Sequence, residues 1–383
     1  MHIERYFMSS YPRSLHGHPR STPAESFQAM AAYCEAHDIH GDVYGKSDWL
    51  QSFEAEIAVL LGKEAALFFP SGTMAQQIAL RVWADRRKSP KVAFHATSHV
   101  EVHEQMGYQR LHGLEAQFVG ETLRTPGRDD VAQLDEGTAA LLLELPMREI
   151  GGQLIPWDEL IAIREWSQTS GTALHLDGAR LYEAAAGYGR TVTEVASLFD
   201  SAYISFYKGI GGLTGAALAG PADFIEEARP WLRRHGGNLF QMTPFTVSAR
   251  MGMEKRMERF PSYVARAKQI GALFEERYGS GTRAGSAGET ATGTGEGPGE
   301  SVRMTIMPSP VQVNMIHLLV DAEVEALNAR REEAGARTGL LPCGRFWEDK
   351  WGRGTMTELY VGEAALAESD ETIVASYDTM LTR

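Results

Sequence analysis

Apolar positions from Trp49 to Leu61 recur at helical spacing and stop at Gly62, so the pattern predicts a helix over 49–61 closed by a glycine. The continuous apolar run AALFF that follows predicts a short buried strand. The alternation then repeats along the chain. SGTMAQQIALRVWADRR predicts a helix, VAF a strand, and AALLLEL, residues 139–145, another strand. Residues 157–169 predict a helix; 172–178 (TALHLDG) predict a strand running into a turn; 200–205 (DSAYIS) and 215–220 (GAALAG) predict two more strands. Strands alternating with helices imply a largely parallel central sheet flanked by helices. Ligands of such sheets sit beyond the carboxyl ends of the strands, where HLDG and YISFYKG both terminate, so these two segments should meet in space.

From about residue 243 the pattern becomes helical through Arg277, which predicts a connection into a smaller α+β C-terminal domain. Residues 279–301 are rich in Gly, Ser, Thr and Glu and almost free of apolar residues, the composition of a flexible surface insertion. VRMTIMP and VQVNMIHLLV predict strands of the small domain, and LYVGEA with a terminal helix closes the chain. The expected organisation is an N-terminal segment (1–40) packing on the small domain, a large domain (41–250) and a small domain (251–383). No internal repeat is visible.

Composition narrows the function classes. At 383 residues, 43% hydrophobic and 23% charged, the chain can bury a large core. A formal charge of −13 argues against a phosphate-tracking surface and so against a nucleic-acid partner. Cys34 and Cys343 stand far apart without metal-ligand spacing, which indicates neither a disulfide scaffold nor a cysteine zinc site and fits a reducing cytosol. The N-terminus lacks a signal-peptide core and no stretch is long and apolar enough for a membrane span. A cytoplasmic protein without a membrane partner is expected.

Three chemical features occur in order. Asp177 ends a strand in HLDGAR, and Lys208 ends a later one in SFYKG. PSGTMAQ places Ser71, Gly72 and Thr73 between a strand and a helix, where backbone N–H groups and hydroxyls meet an anion at the positive end of the helix dipole. Ser205 is a further hydroxyl near Lys208. Singly these are ordinary: an Asp at a strand end caps a helix, a Lys before Gly is solvated, and a Ser or Thr caps its own helix. Together they supply what pyridoxal 5'-phosphate (PLP) needs: a lysine for the aldehyde, an acid for the ring nitrogen and donors for the phosphate. Against this stands a metal reading, because His95, His99 and His103 recur every four residues, with Glu101 and Glu104 between them and His112 beyond. No third ligand is fixed by that spacing, and no metal is expected.

The segments GDVYG (41–45), LLGKEAALFFPSGTMAQQIAL (60–80), HLDGAR (175–180), KGIGG (208–212) with GAALAGPADFIEEA behind it, and WLRRHGG (231–237) together resemble the threonine aldolase and β-eliminating lyase family. The resemblance covers about residues 40–250. It implies a PLP-dependent enzyme of fold type I and a homodimer or homotetramer. It also implies that His99 stacks on the pyridine ring, that Arg180 contacts the cofactor or the substrate carboxylate, that Tyr44 serves the substrate across a subunit boundary, and that Arg233 lies near the phosphate.

Departures bear on the substrate. The family's N-terminal serine segment is not visible, with Ser9, Ser10 and Ser14 as stand-ins. Where aldolases carry a histidine, this chain has Met147 and Arg148. Phe240 stands in place of an arginine, and Thr357 in place of the carboxylate-binding arginine, with Arg353 and Arg345 nearby. Met147 cannot take a proton and Arg148 is permanently charged, which leaves His99, His103 and Glu149 to accept one. The expected activity is cleavage of a β-hydroxy-α-amino acid to glycine and an aldehyde, with Lys208, Asp177 and His99 catalytic. The alternative is β-elimination from another amino acid.

Overall fold

The computed structural model describes residues 13–19, 21–279 and 303–381; the expected insertion lies outside them apart from Gly279. Compactness separates a larger unit, residues 21–261, from a smaller one made of the described residues before 20 and from 262 onward. The first strand, β1 (Arg13–Ser14), belongs to the smaller unit.

The larger unit is built on seven strands: β2 (Ala65–Phe69), β3 (Lys91–Phe94), β4 (Glu115–Phe118), β5 (Ala140–Glu144), β6 (Ala173–Gly178), β7 (Ser201–Ser205) and β8 (Ala216–Gly220). Their order is β2-β8-β7-β6-β5-β3-β4, and only β8 runs against its neighbours. All residues of β5, β7 and β8 are buried, as expected of strands covered on both faces.

Helix α1 (Pro23–Ala36) opens with a capping box, Thr22 and Glu25 exchanging bonds, and a proline in its first turn. Helix α2 (Asp48–Leu61) starts on Ser47, whose hydroxyl accepts the Leu50 N–H at 3.2 Å. It ends on Gly62 at φ 61°, where a Cβ would also meet Thr193 Cγ2 at 2.9 Å. Helix α3 (Gly72–Arg87) packs Ile78, Ala79 and Val82 onto Leu67, Phe69 and Leu218 of the sheet. Under α2, Phe68 and Phe206 stack at 5.8 Å with Phe53 at 5.4 Å from Phe206; full burial of each such ring contributes about 1.5–3 kcal/mol.

The single helix expected over 243–277 is three pieces: Thr243–Arg256, a 3-10 turn at Met257–Arg259, and Phe260–Tyr278. Pro261 sits in the first turn of the last piece, where a missing N–H costs nothing. In the smaller unit, β9 (Met304–Met307), β10 (Met315–Val320), β12 (Trp347–Glu348) and β13 (Thr355–Tyr360) form an antiparallel sheet in the order β12-β13-β10-β9, and β1 pairs in parallel with β11 (Leu340–Leu341). Its core gathers Ile316, Leu318, Phe274 and Tyr377. Among the described residues no helix is long and apolar enough to cross a membrane.

Candidate active site

Five strand ends build one site at the carboxyl edge of the seven-stranded sheet. β2 delivers Ser71 to Thr73, β3 leads to the one-turn helix α4 (His99–Val102), β5 ends on Glu144, β6 carries Asp177, and β7 runs through Ser205 to Lys208. The expected convergence of HLDG and YISFYKG follows directly from the parallel pairing of β6 with β7.

Asp177 is 1% exposed, and its Oδ1 accepts the Ala179 N–H at 3.1 Å. Burial pushes its carboxyl up, opposed by the charges of Lys208 and His99. Burial in turn pulls the Lys208 amine down to about 8, helped by the Arg180 cation and opposed by Asp177 and Glu144. A lysine so lowered has a substantial neutral fraction near pH 7.5, whereas one at its ordinary value of about 10.4 has on the order of a thousandth. A buried acid and a desolvated amine that perturb one another at strand ends mark a reaction centre more often than a structural ion pair.

Two further carboxyls join this site: Glu144, which the sequence reading did not single out, and Glu104, which it weighed only as a metal ligand. Glu144 stands in register beside Asp177 across the β5–β6 ladder. Its Oε2 accepts the His99 N–H at 3.3 Å and its Oε1 the Arg148 N–H at 3.2 Å, so it ties the start of α4 to the turn after β5. Burial, then the nearby Asp177 charge, pushes it up to about 7. The other is Glu104, whose Oε1 lies 2.9 Å from His99 Nδ1 while its Oε2 accepts Gln77 Nε2 at 3.1 Å. Burial pulls His99 down to about 3 and pushes Glu104 up to about 7, so their contact is a hydrogen bond of a neutral imidazole, not an ion pair. The available signal for Glu144 was a single carboxylate ending an otherwise apolar strand run.

At the head of α3 the Ser71 side chain makes no cap bond to its own helix, and Gly72 is buried. A Cβ on Gly72 would come within 2.1 Å of Tyr203 Oη, so only glycine lets the helix start this close to β7. Ser205 Oγ is buried without a partner among the described residues, as is Arg180 Nε. Thr73 is half-buried beside Ser71 and Gly72.

Tyr44 lies in the same unit, on a loop pinned by buried Asp42. Asp42 Oδ1 accepts the N–H groups of Met242 and Thr243 and the Thr243 hydroxyl, each at 2.7 Å. Tyr44 has a φ of 51°, an uncommon conformation for a non-glycine residue, and is 50% exposed. Its ring meets Phe240 edge-on at 5.4 Å. Arg233 is exposed near the end of the helix Ala222–Arg234.

The histidine series does not share one helix face. α4 holds only His99–Val102, because the chain turns at Ser98 and again at His103; His95 lies before it, bonded at 2.8 Å to both Thr97 Oγ1 and the Glu121 carbonyl. His112 is buried and stacks on His235 at 4.9 Å. Met147 is 2% exposed. In the smaller unit, Arg353 is held by Asp349 through Nε–Oδ2 at 2.9 Å and Nη2–Oδ1 at 2.8 Å, Thr357 is buried on β13, and Arg345 is exposed. Ser14 Oγ accepts the His16 N–H at 3.3 Å, while Ser9 and Ser10 lie outside the described residues.

Comparison with known proteins now bears on this arrangement. The family model described as beta-eliminating lyase matches residues 21–283. A structure from Exiguobacterium sp. 255-15, provisionally named an aromatic amino acid beta-eliminating lyase/threonine aldolase, is 38% identical; the match covers 97% of this chain and 96% of that one, with a TM-score of 0.84. A structure from Listeria monocytogenes EGD-E, provisionally named an L-allo-threonine aldolase, is 34% identical with the same coverage and TM-score. The "Probable low-specificity L-threonine aldolase 2" of Arabidopsis thaliana is 30% identical over 248 residues, 62% of this chain and 68% of that protein. The family match contains the site residues at the sheet edge, from Ser71 to Lys208, and not Arg353.

Proposed function

The chain belongs to the beta-eliminating lyase family of PLP-dependent lyases, which includes threonine aldolases, and from that premise we propose that it binds PLP and cleaves a β-hydroxy-α-amino acid to glycine and an aldehyde. The observation that carries the reading is buried Asp177 beside half-buried Lys208 at the converging ends of β6 and β7.

The residues present fit the cofactor. An uncapped Ser71, the N–H groups of Gly72 and Thr73, and the unpartnered Ser205 hydroxyl form a donor set suited to a phosphate dianion at the start of α3. When bound, PLP supplies a cationic conjugated ring that accepts the electron pair released at Cα. Lys208 would hold its aldehyde carbon through an amine lowered towards neutrality. Asp177 would favour a proton on the ring nitrogen, because a buried carboxylate favours a cationic neighbour over a neutral one. His99, held by Glu104, would face the ring, and Arg180 would hold the cofactor or the substrate carboxylate. Tyr44 and Arg353 are proposed for the substrate side.

Gly72→Ala should weaken PLP binding by about 10- to 100-fold, the equivalent of an overpacking cost of about 1–3 kcal/mol at the phosphate turn. Equilibrium dialysis of the cofactor-free variant measures this, and unchanged affinity would remove the phosphate assignment.

The reaction is tested with a panel of β-hydroxy amino acids, cysteine conjugates and aromatic amino acids, quantifying glycine, pyruvate and ammonia. Glycine with an aldehyde is expected, with a bulkier or aromatic β-hydroxy substrate turning over faster than threonine. Pyruvate and ammonia in place of glycine would move the activity to β-elimination and leave the cofactor residues unchanged.

The assembly is proposed to be a homodimer or homotetramer, supported by the exposed Tyr44–Phe240 pair, rings that a second copy would cover. Sedimentation should show at least two copies per particle; a fully active monomer would contradict this.

A further inference from the structure

Building on the aldol-cleavage reading, we propose that His103, oriented by Glu149, is the base that takes the β-hydroxyl proton. The reaction needs a proton acceptor near Cβ. In the turn after β5 Met147 is buried and Arg148 is permanently charged, while the Glu149 carboxylate is engaged by Arg148 Nη1 and His103 Nε2. His99 is poorly suited, since its Nδ1 is engaged by Glu104 and burial leaves it weakly basic.

His103 closes the single turn of α4 and reaches across to that same turn, its Nε2 2.7 Å from Glu149 Oε1. Glu149 Oε1 also accepts Arg148 Nη1 at 2.9 Å, which holds the carboxylate in place. A carboxylate on Nε2 selects the tautomer with the proton there, so the lone pair is left on Nδ1. The ring of His103 lies 5.1 Å from that of His99, and its side chain is 38% exposed, so a substrate can reach it. Among the described residues, His99, Glu104, Arg148 and Glu149 are charged or titratable groups close to it. The residue closing α4 thus reaches the turn after β5.

The proton balance is complete without a further reagent. The hydroxyl proton passes to His103 Nδ1, the O–H electron pair becomes the second carbon–oxygen bond of the aldehyde, and the Cα–Cβ bond breaks. The pair left at Cα takes up a proton to give glycine, and the His103 proton returns to solvent.

The test uses the holoenzyme with 3-phenylserine. His103→Ala should lower kcat about 100-fold, the order contributed by a positioned general base, with partial recovery on adding imidazole. Glu149→Gln should give a smaller loss. Exchange of the glycine Cα hydrogen with deuterated solvent, which involves no β-hydroxyl, should persist in His103→Ala. Nitrogen NMR of the cofactor-free protein should show His103 protonated at Nε2, a preference lost in Glu149→Gln. Full kcat in His103→Ala, joint loss of cleavage and exchange, or protonation at Nδ1 would each overturn the assignment. Wild-type enzyme that releases no glycine would overturn the cleavage reading and the base with it, whereas wild-type cleavage untouched by His103→Ala would overturn the base alone.

Discussion

Lys208→Ala should abolish covalent attachment of PLP while leaving the fold intact. Lys208 lies beyond the end of β7 and outside the packed core; its amine is desolvated and repelled by Arg180 but attracted by Asp177 and Glu144, so its removal offsets a relieved burial cost against the loss of a cation beside two carboxyls. The packing is untouched, so the fold should persist. Turnover should drop by at least about 10²–10⁴-fold, the usual contribution of one positioned proton-transfer group, before the lost covalent step is counted. Visible absorbance and borohydride reduction of the variant measure the attachment. Reducible absorbance that survives the substitution would place the linkage on another lysine.

Asp177→Ala should leave PLP able to bind through Lys208 and the phosphate turn yet cost most of the activity. Removing one partner of a buried charge pair costs about 3–5 kcal/mol, because the remaining charge stays in a medium that cannot solvate it. If that stabilisation serves the transition state, the loss in kcat is on the order of 10²–10³, at about 1.4 kcal/mol per tenfold. Asp177→Glu should recover little, since the carboxylate position is fixed by the Ala179 N–H and the β6 ladder. Steady-state kinetics with PLP saturation checked separately decides the matter, and wild-type kcat in Asp177→Ala would exclude the ring-nitrogen role.

Most of the larger unit was legible because its inner strands are buried on both faces, whereas the exposed edge strand β4 went unread. Buried strands read as continuous apolar runs, and AALFF, ALLLE and SAYIS stand out from the helices between them. The position of Asp177 and Lys208 followed from the same logic, since carboxyl ends of neighbouring parallel strands lie on one edge. Helix α1 was missed although Thr22, Pro23 and Glu25 spell its start, because none of its residues is buried and no apolar stripe marks it. The 3-10 turn at 257–259 was hidden by apolar positions that continue on both sides of it. The equal spacing of His95, His99 and His103 suggests a shared face, but a period of four means one only inside a helix, and α4 is one turn long. Glu144 could be seen as a residue but not as a neighbour of Asp177, because strand register is set by the sheet and not by local sequence.

Borohydride reduction of the purified protein, followed by proteolysis and mass mapping, tests the central claim most directly. A phosphopyridoxyl group on the peptide containing Lys208, and on no other, is the result this account requires. A protein that carries no such group after incubation with PLP, or carries it on a different lysine, would contradict it.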